Sequence, residues 1–266
     1  MSGTDEKSPV LERREPPLGW ILLNRPEVRN ALDLRTWRQL AQSFASLEAD
    51  PQIRVIIIRG VTAEAFVAGA DISEFPRLRS NPEQAREYEK APGRVVEALI
   101  RSAKPVIAMI SGFCLGGGVQ LALACDVKFA ARKTRFGIPA ARLGLAYPPQ
   151  AVRMLVTTVG AAHARDILLS GRQFDADEAL AMGLINRVFE PEVLEAETRN
   201  YALALARNAP LSIAAAKAAV AYACGLEGAA DAAEVENMMW RSFDSQDYQE
   251  GVRAFLEKRA PNFVGK

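Results

Sequence analysis

The sequence predicts an α/β fold. Short aliphatic runs of strand length alternate with helical stretches up to about residue 190, and glycine-rich loops lead from one kind into the other. Strands separated by helices lie parallel and are joined by right-handed crossovers, and ligands are expected where glycine loops lead from the strands into the helices.

The elements follow in order. Residues 1–10, MSGTDEKSPV, are polar with no apolar run, so they read as a flexible tail rather than a secretion signal. LGWILL at 18–23 and VIII at 55–58 have strand length and bracket a helix that starts after Asp33, a candidate N-cap. In that helix Leu34, Trp37, Leu40, Ala41, Phe44 and Leu47 recur at three- and four-residue steps, which gives it one buried face. Asn81 and Pro82 open a second helix running to about Arg101, followed by a buried strand at 105–110, a helix at 116–124 and a strand at 126–130. Asp175 and Glu178 have capping-box spacing ahead of EALAMG, Gly183 is a natural stop, and 185–189 is a short strand. After Pro191 the chain is alanine-rich and helical. The expected organisation is therefore a tail at 1–10, an α/β core at 11–190 and a helical C-terminal region at 191–266, forming one compact unit.

Composition narrows the function. With 33 Lys+Arg against 32 Asp+Glu, the chain offers no global electrostatic pull on nucleic acid or an anionic membrane. It also has no basic stripe interleaved with aromatics. Cys114, Cys125 and Cys224 lack metal-ligand spacing and sit among apolar and small residues, so they read as reduced core thiols in a cytoplasmic compartment. Residues 105–125 carry no charge, but Ser111, Gly112, Gly116, Gly117, Gly118 and Gln120 break the run, which argues against a membrane helix.

Two small-residue loops carry the chemistry: FVAGADISEF at 66–75 and ISGFCLGGGVQLALACDV at 110–127. In each, glycine and alanine precede a potentially helical segment, so backbone N–H groups can gather with little side-chain bulk above them, as an oxyanion site requires. The GGG run alone equally suits close packing of a helix on a strand. Together with LNRPEVRNAL at 23–32, FGIPAARLGL at 136–145, LLSGRQFDADEALAMGLINRVF at 168–189 and FLEKRAPNF at 255–263, the loops resemble the crotonase superfamily, the enoyl-CoA hydratase/isomerase family, from about residue 18 to the C-terminus.

That resemblance implies a crotonase-type spiral of ββα units with a helical C-terminal region, and a coenzyme A thioester as substrate. It implies that the thioester oxygen meets the N–H groups of Ala70 and Gly117, with adenine and pantetheine along Ala68, Ala70, Asp71, Ile72 and Ser73, and Val28 and Arg29 near the nucleotide. Lys258 matches a position able to meet CoA phosphates, from this or an adjoining subunit. No cofactor or metal beyond the CoA of the substrate is implied, and homotrimers or pairs of trimers are the expected assembly. Met238, Met239, Trp240 and Phe243 cluster in the region expected to form that interface.

The chain departs from the hydratase pattern at two places. Hydratases of the family carry one glutamate three positions after the second oxyanion donor and another after FGxP; here those positions are Gln120 and Ala140, neither of which moves a proton at neutral pH. Asp126 and Glu74 are nearby carboxylates with the look of framework, and His163, the single histidine, lies in GAAHARD, which looks like a helix start far from both loops. Tyr147 resembles a tyrosine of methylmalonyl-CoA decarboxylases in this superfamily, although those carry a histidine where this chain has Ala70; it equally suits an apolar pocket wall. Three readings remain: an acyl-CoA lyase or isomerase, a decarboxylase of a malonyl-type thioester, and a non-catalytic CoA-thioester-binding subunit.

Overall fold

The structure is a computed structural model that describes residues 8–266. Most of the tail expectation falls outside those residues. Its last three do not behave as a tail: Ser8, Pro9 and Val10 are buried, and the Asn24 N–H donates to the Pro9 carbonyl at 2.8 Å. Val10 begins β1 (Val10–Glu15), an antiparallel edge strand paired with β2 (Leu18–Leu23) that the sequence reading missed because VLERRE carries four charged residues.

Helix α1 (Leu34–Ala49) starts as predicted, with Asp33 accepting the Thr36 N–H at 2.6 Å. The chain then winds in turns. β3 (Val55–Gly60) enters a large sheet and β4 (Ala65–Val67) a small one, before α2 (Phe75–Leu78) and α3 (Pro82–Arg101). β5 (Val106–Ile110) and β6 (Phe113–Leu115) repeat the step and lead into α4 (Gly117–Ala124). β7 (Val127–Ala131) and β8 (Arg135–Gly137) repeat it again, followed by α5 (Pro149–Ser170). Each turn thus places one strand in either sheet before a helix, which is the expected spiral of ββα units. β9 (Gln173–Asp175) closes the small sheet, α6 (Ala176–Ala181) follows, and β10 (Arg187–Phe189) completes the large one in the order β1-β2-β3-β5-β7-β10.

Both faces of the large sheet are covered, which is why its strands read as unbroken apolar runs. Along β3, Ile56 and Ile58 pack under α1, α3 and α4, while Val55 and Ile57 join Trp20, Ile107, Met109 and Phe129 on the other face. That second face is closed by Leu194, Ala202 and Ala206 of α7 (Leu194–Ala206). The helical region expected at 191–266 thus begins with a helix, α7, that packs into the core of the sheet. α8 (Pro210–Ala223), α9 (Ala232–Phe243) and α10 (Gln246–Leu256) follow, and no residue of α9 is buried. The Asp247 carboxylate, 2% exposed, receives the N–H groups of Val264 and Gly265 and ties the C-terminus to α10. The capping box at α6 is half formed: Asp175 accepts the Glu178 N–H at 2.9 Å, but the Glu178 carboxylate turns to Arg172.

Candidate active site

Two segments that lie far apart in sequence are laced together at one end of the sheets. The Ala68 N–H donates to the Arg29 carbonyl at 3.0 Å, the Leu32 N–H to Gly69 at 2.8 Å and the Asp71 N–H to Leu32 at 3.0 Å. Arg25 clamps the seam with a 2.9 Å ion pair to Asp71. The Ser73 hydroxyl, followed by the Arg25 guanidinium, holds the Asp71 carboxyl below the usual range, so this side chain is engaged within its own loop. Val28 and Ile72 are exposed, and the Arg29 guanidinium lies over the Phe113 ring at 5.0 Å. The residues assigned to CoA from 28 to 29 and from 68 to 73 are therefore neighbours. Lys258 is exposed at the far end of α10, and no hydrogen bond or ion pair among the described residues joins it to them.

The exchange between Leu32 and residues 69–71 is a parallel bridge centred on Ala70, which leaves the Ala70 N–H on the opposite side from Leu32. Gly117 is the first residue of α4, where N–H groups have no intrahelical acceptor. Among the described residues neither N–H meets a protein acceptor. The glycines around them have separate reasons. Gly116 has φ 48° and ψ −111°, a conformation that side chains resist, and there the backbone angle rather than space demands glycine. A Cβ on Gly118 would come within 2.7 Å of Val67, so the packing role of the GGG run belongs to that residue.

A cavity of about 140 Å³ opens between these loops and is lined by Ala68, Ala70, Gly117, Gln120, Ala140 and Tyr147, all named from the sequence. Trp37, Phe75, Pro92 and Leu143 add apolar wall. Gln120 lines the cavity while only 7% exposed, and Ala140 sits in a 3-10 turn at Pro139–Leu143. The Tyr147 hydroxyl donates to the Gly116 carbonyl at 3.0 Å, and burial pushes its pKa well up, so it stays a donor. It braces the loop that carries Gly117.

Three polar or charged lining residues escaped the sequence reading: Arg79, Tyr88 and Glu89. Arg79 pairs with Glu89 at 2.9 Å and lies over the rings of Phe75 and Tyr88 at 4.5 and 5.2 Å. Burial raises the Glu89 pKa, with Arg79 opposing. A signal was present, since Glu89 stands three residues before Pro92 and seven before Val96, on the buried stripe of α3 where a carboxylate is costly. Asp126 and Glu74 are framework: Asp126 accepts the Val106 N–H at 2.7 Å and pairs with Lys217 at 2.8 Å, and Glu74 accepts the Leu34 N–H at 2.8 Å. His163 is exposed on α5, just after the non-helical Gly160. The three cysteines are free, and burial pushes Cys125 up to about 12, which makes it unreactive.

A ββα spiral with paired small-residue loops over an apolar cavity defines a class, and the comparisons give it a family. Residues 14–266 match the family model described as enoyl-CoA hydratase/isomerase. The chain is 34% identical over 259 residues to a crotonyl-CoA hydratase of Syntrophomonas wolfei, covering 97% of this chain and 98% of that protein. It is 32% identical to a short-chain-enoyl-CoA hydratase of Clostridium acetobutylicum, covering 96% and 97%. Among solved structures, an enoyl-CoA hydratase/carnithine racemase from Magnetospirillum magneticum superposes with a TM-score of 0.91 at 38% identity, covering 97% of this chain and 96% of that one. The chain belongs to the enoyl-CoA hydratase/isomerase family of the crotonase superfamily, whose members act on CoA thioesters.

Proposed function

We propose that the protein is a lyase or isomerase that stabilises the enolate of an acyl-CoA thioester between the N–H groups of Ala70 and Gly117. The observation that carries this reading is that both groups line one cavity and neither has a protein acceptor among the described residues. Enolate formation places negative charge on the thioester oxygen, and two fixed donors stabilise it; losing one such donor costs about 10²-fold to 10³-fold in rate. This chemistry calls for no cofactor beyond the CoA of the substrate. Gln120 and Ala140, at the positions of the hydratase glutamates, remove the proton carriers that water addition uses, so standard hydratase activity is weak. The hydroxyl of Tyr147 is engaged by Gly116, which favours a bracing role for it over direct contact with a malonyl carboxylate.

The exposed seam of residues 28–29 and 68–73 is the proposed track for adenine and pantetheine, with Lys258 contributing to the phosphates from a neighbouring subunit. Calorimetry with acetoacetyl-CoA and with free acetoacetate tests the assignment. The thioester is expected to bind with micromolar or tighter affinity and the free acid not at all; equal binding of the two, or none, overturns it.

A further inference from the structure

We propose that Glu89 is the proton-transferring residue of this cavity, with Arg79 as its positioning partner, and that the reaction it serves is migration of a double bond in an unsaturated acyl thioester. The proposal rests on the reading of Ala70 and Gly117 given above and extends it to the group that moves the proton.

Position is the first argument. Arg79 and Glu89 are the only charged side chains on the cavity wall among the described residues, and that wall also contains Ala70, Gly117 and the two positions that lack glutamate. The second is support. Arg79 is held over two aromatic rings and its side chain is 16% exposed, so its 2.9 Å pair with Glu89 has a fixed origin, while the Glu89 side chain, itself on the cavity wall, keeps 33% exposure. The third is tuning. The titratable and charged groups around Glu89 are Arg79 at the end of α2, Tyr88 on α3 and Tyr147 before α5; burial raises the carboxyl and Arg79 opposes the rise. A carboxylate with a raised pKa is a stronger base than an exposed one, and the Arg79 guanidinium favours its charged form.

One carboxylate suffices for a double-bond shift. The Glu89 carboxylate takes a proton from C2 of a 3-enoyl thioester. The C–H electron pair forms the C1–C2 double bond as the carbonyl pair moves onto the oxygen held by Ala70 and Gly117. When that pair returns, the electrons pass through C2 and C3 to C4, which takes the proton back from Glu89. Nothing is gained or lost overall and no oxidant takes part; between the two transfers the proton on Glu89 exchanges with solvent.

The test uses the full chain with trans-3-hexenoyl-CoA in deuterium oxide, read by the rise of conjugated enoyl absorbance and by mass spectrometry. The native protein is expected to convert the substrate and to place deuterium on the acyl chain. Glu89→Gln, which keeps an acceptor for Arg79, is expected to lose at least about 10²-fold in rate while acetoacetyl-CoA affinity stays within about threefold; Glu89→Asp should retain part of the activity. The native rate should fall on the acid side at a pH above the ordinary glutamate range, and Arg79→Met should move that limb to higher pH, because the cation that favours the carboxylate is gone. Native turnover in Glu89→Gln overturns the proposal. A native protein that binds acetoacetyl-CoA yet neither isomerises nor exchanges the probe also overturns it. Absence of any CoA-thioester binding overturns the underlying reading instead.

Discussion

Gln120 on α4 and Ala140 in the 3-10 turn both line the cavity, and under the proposed function they are the positions at which hydration is expected to be restored. The double substitution Gln120→Glu with Ala140→Glu is expected to raise crotonyl-CoA hydration by at least about 10²-fold, the low end of what positioned acid-base groups supply. Either change alone should do little, since one group activates water and the other delivers a proton. Loss of enoyl absorbance measures the rate, with acetoacetyl-CoA binding as the folding control, and an unchanged rate in a variant that still binds would refute it. Tyr147→Phe removes the donor to Gly116 and should lower kcat several-fold with little change in binding. Gly118→Ala drives a methyl group into Val67 and should cost about 1–3 kcal/mol of stability, read by thermal or denaturant unfolding.

At the scale of elements, the long helices and buried strands were legible because hydrophobic periodicity and caps report directly on local structure. Asp33, Asn81 and Asp175 all cap as their sequence context predicts. The small sheet was not legible: β4, β6, β8 and β9 have three residues each, too short for any alternation to register. Of the site, the backbone loops, Gln120, Ala140 and Tyr147 could be read, because they lie within contiguous motifs. Arg79, Tyr88 and Glu89 could not, because their membership of the cavity depends on how α2 and α3 fold over the glycine loops. Glu74 shows the same dependence, capping the start of α1 from forty positions away. Glu74→Ala should cost about 1 kcal/mol, which for a domain of this size lowers Tm by roughly 2–4 °C.

For the whole molecule, the outstanding feature is the uncovered apolar surface of α9 and α10. Met239, Trp240, Phe243, Tyr248, Val252, Phe255 and Leu256 are all exposed, Phe255 at 84%, and a concentration of large apolar side chains on two successive helices marks an interaction surface. A homotrimer or pair of trimers closed through these helices is the expected state, and sedimentation should show a mass several times 28.9 kDa at micromolar concentration; a monomer alone would refute it. No helix among the described residues is long and apolar enough to cross a membrane. The proposed chemistry turns on the two main-chain donors, and isotope-edited infrared spectroscopy of a bound thioester, labelled at its carbonyl carbon, reads them without requiring turnover. Hydrogen bonds from Ala70 and Gly117 should shift the carbonyl band to lower frequency in the complex than in water. A bound thioester whose band stays at its solution position, or moves upward as in an apolar solvent, would contradict the account.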